Sequence, residues 1–320
     1  RYLLLIGDAS WDLRLSDEVG REELAAAPDA VYHAEHGTDF AQVPARPVAG
    51  VWGGARNRVP TWSYPTGDGH AAGDNFFADV DGDLVPELAV GRLPVVSVEE
   101  VRAIVEKIER YEDSPPGPWR QRVTFATSED PGWHLWGDEL AGRASASGFE
   151  ARKVYSQPEP TGGRSDPERV GDALASGDYL FHFVGHGGRF IWRTGPPDWQ
   201  KQRDLFNLED VDRLPANSHP PIVVAMTCYS APFDHPSADS IGEKLLRTPG
   251  KGAIAVLAAA WRISPTQLIS QVVVGEFLAA QPGDRLGDVV LRAKKKSYNR
   301  DFLQQYNLLG DPSMPISPRP

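Results

Sequence analysis

Only one cysteine occurs among the 320 residues, with two methionines and no apolar run of membrane-spanning length. A single thiol cannot close an internal disulfide, nor supply the Cys-x-x-Cys pair of a zinc or dithiol redox site. The longest apolar stretch, Ala253 to Trp261, has the length of a buried strand. It falls far short of the roughly 18 residues that a spanning helix needs, so no membrane span is expected. Positive charge is scarce too: 33 Lys and Arg face 44 Asp and Glu, for a net charge of −11. A nucleic-acid binder carries a basic stripe and a high pI, so no nucleic-acid partner is expected. The Gly-x-Ser-x-Gly elbow, the phosphate-binding loop and the dinucleotide fingerprint are all missing. Arg1 is not a start methionine, and the next residues already read as a strand, so the chain is expected to begin inside a longer product.

What is present is an alternation of strands and helices. Tyr2 to Gly7, Leu88 to Val90, Arg122 to Thr127, Tyr179 to Val184, Ile222 to Thr227 and Ala253 to Ala259 are apolar with little alternation. That pattern suits strands covered on both faces. Ser97 to Glu112 carries an apolar stripe at Val101, Ile104, Val105, Ile108 and Tyr111, with Ser97 and Glu100 spaced as a capping box. Asp166-Pro167 reads as the Ncap and N1 of a helix that stops at Gly177. Further helices fit Leu135 to Ser147, Ser240 to Arg247, Thr266 to Ala279 and Leu286 to Lys296. The expected fold is α/β, a mostly parallel sheet with helices on both faces. Residues 12–87 lack sustained periodicity and read as an elaborated, irregular insert. The Pro-rich stretch Ser114 to Pro118 divides a partial N-terminal lobe, 1–117, from a fuller lobe, 118–320.

Two strand ends carry the chemistry. One apolar strand delivers Gly185-His186-Gly187-Gly188; another delivers Thr227-Cys228, with Cys228 following His186 by 42 residues. Ligands of open parallel sheets bind outside the carboxyl ends of strands, so an imidazole and a thiol are expected on one rim. A thiol near its ordinary pKa of about 8.5 is mostly protonated at neutral pH, and a neighbouring imidazole can take that proton. The Gly187 and Cys228 amides are candidates for an oxyanion hole. Taken singly, a lone cysteine on an apolar strand is a small buried hydrophobe and a histidine after a strand is a loop residue; the pair is what argues for function.

These segments resemble gingipain-type cysteine peptidases of caspase-like fold. The resemblance rests on FVGHGG with Trp192 after it, VVAMTC with Phe233 after it, YLLLIGD, GDNFF, LAVGRLP, GAIAVLA and LLGDPS in serial order over nearly the whole chain. It implies a cysteine endopeptidase acting on protein or peptide substrates through a thioester, with Cys228 as nucleophile and His186 as base and acid. Glu129 would orient the histidine, with Asp130 as its neighbouring substitute. Asp138, Trp192 and Trp261 would line the substrate pocket, the acid favouring basic residues. The family's catalytic unit begins with a further strand–helix stretch. The resemblance therefore also implies a separate N-terminal segment or propeptide as partner, and an exported bacterial protein, secreted or at the cell surface. The alternative is a catalytically silent caspase-fold module for binding or assembly.

No cofactor is expected for catalysis. Asp79-Val80-Asp81-Gly82-Asp83 presents alternating carboxylates on a tight turn, and with Asp74 and Glu87 it forms a candidate structural calcium site. Its glycine stands at position four, so it is not an EF-hand. His33 and His36 around Glu35 make a weaker metal candidate, and His182 has no evident third ligand. Lys294 to Lys296 reads as solvated surface.

Overall fold

Strands that are apolar at every position are stable only where both faces are covered, and they fill the centre of an eight-stranded sheet in the computed structural model. The structure describes residues 1–10, 56–67, 69–157, 162–195, 204–235, 238–264 and 266–316. In chain order the strands are β1 (Tyr2–Ile6), β2 (Trp62–Thr66), β3 (Gly69–Gly73), β4 (Ala89–Leu93), β5 (Arg122–Thr127), β6 (Glu150–Tyr155) and β7 (Leu180–Val184). Then come β8 (Gly187–Gly188), β9 (Ile191–Arg193), β10 (Asp204–Asn207), β11 (Ile222–Met226), β12 (Ala255–Ala259) and β13 (Tyr306–Leu309). The α-helices are α1 (Val98–Glu112), α2 (Pro131–Ala146), α3 (Asp166–Ala175), α4 (Leu208–Arg213), α5 (Ile241–Arg247), α6 (Gln267–Leu278), α7 (Leu286–Lys296) and α8 (Arg300–Gln305).

The main sheet has the order β1-β4-β13-β12-β11-β7-β5-β6. Every neighbouring pair is parallel except β12–β13, which is antiparallel. Two parallel blocks of opposite direction therefore meet at that pair. The C-terminal strand β13 pairs with β4 on one side and β12 on the other, so chain on both sides of residue 117 shares one sheet. Hairpins β2–β3 and β8–β9–β10 stand apart from it. The edge strand β6 was not expected from the sequence, because Glu150, Arg152 and Lys153 interrupt its apolar residues.

Helix caps account for most helix starts. The Ser97 hydroxyl accepts the Glu100 amide at 3.2 Å, but the Glu100 carboxylate reaches back to the Val96 amide at 2.8 Å rather than to Ser97. The cap of α3 is Ser165, one residue before the expected Asp166; the Asp166 carboxylate instead accepts from Ser156 at 2.6 Å and pairs with Arg169. Asp130 and Pro131 start α2 four residues earlier than its periodicity suggests.

Several charges lie in the core. Lys294 is not surface: its ammonium is buried, bonded to Asn75 Oδ1 and the Leu303 carbonyl, both at 3.0 Å, and burial pushes it down to about 7. Lys107 projects its ammonium into the carbonyls of Leu245, Leu246, Thr248 and Lys251 at the end of α5. It satisfies orphan carbonyls that the helix terminus leaves unpaired. Arg56, Asp8, Asp239, Glu243 and Arg247 form a buried ion cluster that ties the end of β1 to α5.

Candidate active site

Strands β5, β7 and β11 are parallel and in register, with Thr127, Val184 and Met226 level with one another. The residues that follow them, Ser128-Glu129-Asp130, Gly185-His186 and Thr227-Cys228, therefore emerge at the same rim. Glycine brings the last two together. A Cβ on Gly187 would lie 2.5 Å from Thr227 Oγ1 and 3.1 Å from the Cys228 carbonyl oxygen, so only glycine lets the two strand ends touch this closely.

Cys228 is half-buried. Its thiol donates to the Ile263 carbonyl at 3.2 Å, and the Ile263 amide lies 3.5 Å from the sulfur. Both groups come from the loop after β12. The next residue, Tyr229, has φ +52°, a left-handed conformation that costs a non-glycine residue about 1–3 kcal/mol. It is held by its amide bond to the Trp261 carbonyl at 3.2 Å and by its ring against the Trp261 indole, 5.3 Å between centroids. The Trp261 indole in turn fills the space above Gly69 on the β2–β3 hairpin. Trp261 is thus beside the loop that follows Cys228.

His186 is half-buried, and burial lowers its pKa; the Asp130 charge opposes the shift and the Arg193 charge adds to it. Trp133 meets the imidazole edge-on at 6.2 Å. The Asp130 charge acts on the ring, and its carboxylate also caps α2 by accepting the Gly132 amide at 2.7 Å. Glu129 donates its amide to the Thr194 carbonyl at 2.6 Å and carries its carboxylate alongside Gly195. Arg193 is almost fully buried, and none of its three side-chain nitrogens has a hydrogen-bond partner.

Two residues expected in the pocket are placed elsewhere. Trp192 is completely buried, stacked on Phe183 and Phe181, with its indole donating to Ser230 Oγ at 3.1 Å. It pins the β8–β9 hairpin to the loop after Cys228 and offers no surface to a substrate. Asp138 is bonded to Lys153 at 2.7 Å and to the Tyr155 hydroxyl at 2.9 Å, bonds that hold its carboxyl below the usual range. Its partners are on the edge strand β6, three strands from β11 in the sheet order.

The metal candidates divide as well. Oxygens of Asp79, Asp81 and Glu87 lie within 4.8 Å of one another, the one such group among the described residues. Asp74 is not among them, because it is buried in a two-point pair with Arg92 at 2.6 and 2.7 Å. Asp83 turns its carboxylate to the Val85 amide at 2.7 Å. His33, Glu35 and His36 lie outside the described residues. His182 is fully buried against Ser270 Oγ at 3.3 Å, and burial pushes it down to about 3, which makes it a neutral core group. Sequence reading missed Ser128, Arg193, Tyr229 and Ile263. The only signal for Ser128 was its place directly after an apolar strand, and Ile263 acts through its backbone alone.

This sheet, with its reversed second block and paired strand ends, is the α/β architecture of caspase-like fold. The model of peptidase family C25 matches residues 1–317, and the chain belongs to that family. Among solved structures, the Arg specific cysteine proteinase gingipain R (RgpB) superposes with a TM-score of 0.66 at 17% identity, over 98% of this chain and 64% of that one. The complex of Porphyromonas gingivalis RgpB pro- and mature domains matches with a TM-score of 0.65 at 18% identity, over 77% of this chain and 60% of that one. The chain thus spans less than two thirds of either. No curated protein sequence matches it. No helix among the described residues is long and apolar enough to cross a membrane.

Proposed function

We propose that the chain is the catalytic part of a cysteine endopeptidase that uses Cys228 and His186. The observation that carries this reading is the meeting of the two strand ends at Gly187, with a half-buried thiol on one and a half-buried imidazole on the other. Burial lowers the His186 pKa and so favours the neutral imidazole that can act as a base, while the thiol bonds the Ile263 carbonyl. As sulfur attacks the scissile carbonyl, His186 takes the thiol proton and the S–C bond forms. The Gly187 and Cys228 amides face the resulting oxyanion. His186 then gives its proton to the leaving amine, the C–N bond breaks, and water cleaves the thioester to release the acid and restore the thiol. The Asp130 charge, with Glu129 beside it after β5, stabilises the imidazolium, and Trp261 walls the substrate side.

A peptidyl electrophile tests this directly. Wild type should be labelled at Cys228, whose uniqueness makes any thiol adduct report on that site alone. His186→Ala should label far more slowly. Absence of labelling in the wild type would leave the silent binding module.

The same reading extends to location and partners: a secreted or cell-surface protein, and a propeptide as partner. We also assign a structural calcium ion to Asp79, Asp81 and Glu87, whose hard oxygen donors on one tight loop suit that cation. Added calcium should raise the melting temperature of wild type and not of Asp79→Asn with Asp81→Asn. Equal responses would dismiss the site.

A further inference from the structure

We propose that Ser128 is a positioning residue that locks the His186 loop through a closed ring of hydrogen bonds. The inference rests on the dyad reading above. The Ser128 hydroxyl accepts the His186 amide at 3.0 Å and donates to the Arg193 carbonyl at 2.7 Å. The Arg193 amide completes the ring by donating to the His186 carbonyl at 2.8 Å. Three segments that meet nowhere in the sequence are joined: the end of β5, the second residue after β7, and the end of β9.

The hydroxyl is suited to this task. Ser128 is fully buried, so water does not compete for its bonds, and its one proton and its acceptor capacity are both used inside the ring. Its backbone is anchored independently, by its amide on the Val184 carbonyl at 3.2 Å. The neighbouring glycine is required for the approach: Gly185 has φ +156°, and a Cβ there would lie 2.0 Å from Ser128 Oγ. His186 is thus held at both its amide and its carbonyl, with Arg193 seated in the same ring. An imidazole carried on an unpinned loop after a glycine would sample positions away from the thiol. A misplacement of about 1 Å costs roughly a hundredfold in rate.

The test uses the full chain, with competent enzyme counted by titrating Cys228 with the electrophile. Ser128→Ala removes the ring with the smallest change of volume. Per titrated site, kcat should fall by about ten- to a hundredfold while KM stays within about twofold, because the substrate's binding groups are untouched. Ser128→Thr, which keeps the oxygen, should restore kcat to within about threefold of wild type, a rescue that isolates positioning from folding. An unchanged kcat in Ser128→Ala overturns the proposal. So does a loss that threonine fails to rescue, or one in which kcat and KM move together, since these mark a purely structural role. Activity that survives in Cys228→Ala would instead refute the dyad itself, whatever Ser128 does.

Discussion

Cys228→Ala is expected to lose peptide hydrolysis by about a millionfold, the scale seen when one member of a hydrolytic nucleophile–base unit is removed. The fold should be unaffected, because Cys228 is only half-buried and its thiol bonds the Ile263 backbone rather than holding core elements together. His186→Ala should lose nearly as much, since the two act as a unit and their effects do not add. The pH profile gives an independent check. Burial lowers the His186 pKa, so the base is neutral above that value, and activity should be lost only as pH falls through a point below the ordinary histidine value of about 6.5. The sign of each neighbour follows. Asp130→Asn removes a charge that favours the imidazolium and should move the acid limb lower; Arg193→Gln removes a charge that opposes it and should move the limb higher. Shifts in the opposite directions would contradict this electrostatic picture of the site.

Arg56→Ala is expected to destabilise the protein by about 3–5 kcal/mol, the cost of removing one partner from a buried ion cluster. The Arg56 guanidinium is fully buried, 2.5 Å from Asp8, 3.0 Å from Asp239 and 3.7 Å from Glu243. Its loss leaves Asp8 and Asp239 sharing Arg247. Glu243 behaves differently, because burial pushes its carboxyl up to about 8 and it is protonated at neutral pH. Arg56 and Arg247 then face Asp8, Asp239 and the partly exposed Glu100. Glu243→Gln should accordingly cost about 1 kcal/mol or less, since the amide keeps the acceptor for the Ser240 amide and changes no charge. Urea denaturation of the three proteins measures both values. Equal losses for Arg56→Ala and Glu243→Gln would show that Glu243 is ionised and that the charge balance is wrong.

Much of the fold was legible because its central strands obey a local rule. β7, β11 and β12 are apolar at nearly every position, which only burial on both faces permits, and the ends of these strands and of β5 agree with the expected ones to within about two residues. β6 and the hairpins were not legible, since half-exposed or very short strands carry mixed composition and take their identity from partners far along the chain. The same division holds at the site. That His186 and Cys228 stand at strand ends on one rim could be read from residue type and position. Asp138 and Trp192 could not be placed, because their surroundings depend on β6 and on the core beneath β9.

What the sequence by itself determined is chemical: one thiol, one Gly-His-Gly, strands able to carry both, and too little positive charge or apolar length for a nucleic-acid binder or a membrane span. Periodicity, composition and the placing of glycine are properties of neighbouring residues, and they can be read locally. Only the tertiary structure shows that the Asp130 charge acts on His186, that oxygens of Asp79, Asp81 and Glu87 lie close together, and that Ser128 ties three segments into one ring. Those outcomes rest on hydrogen bonds and charges between residues brought together by sheet order and register, and no local pattern records which strands become neighbours.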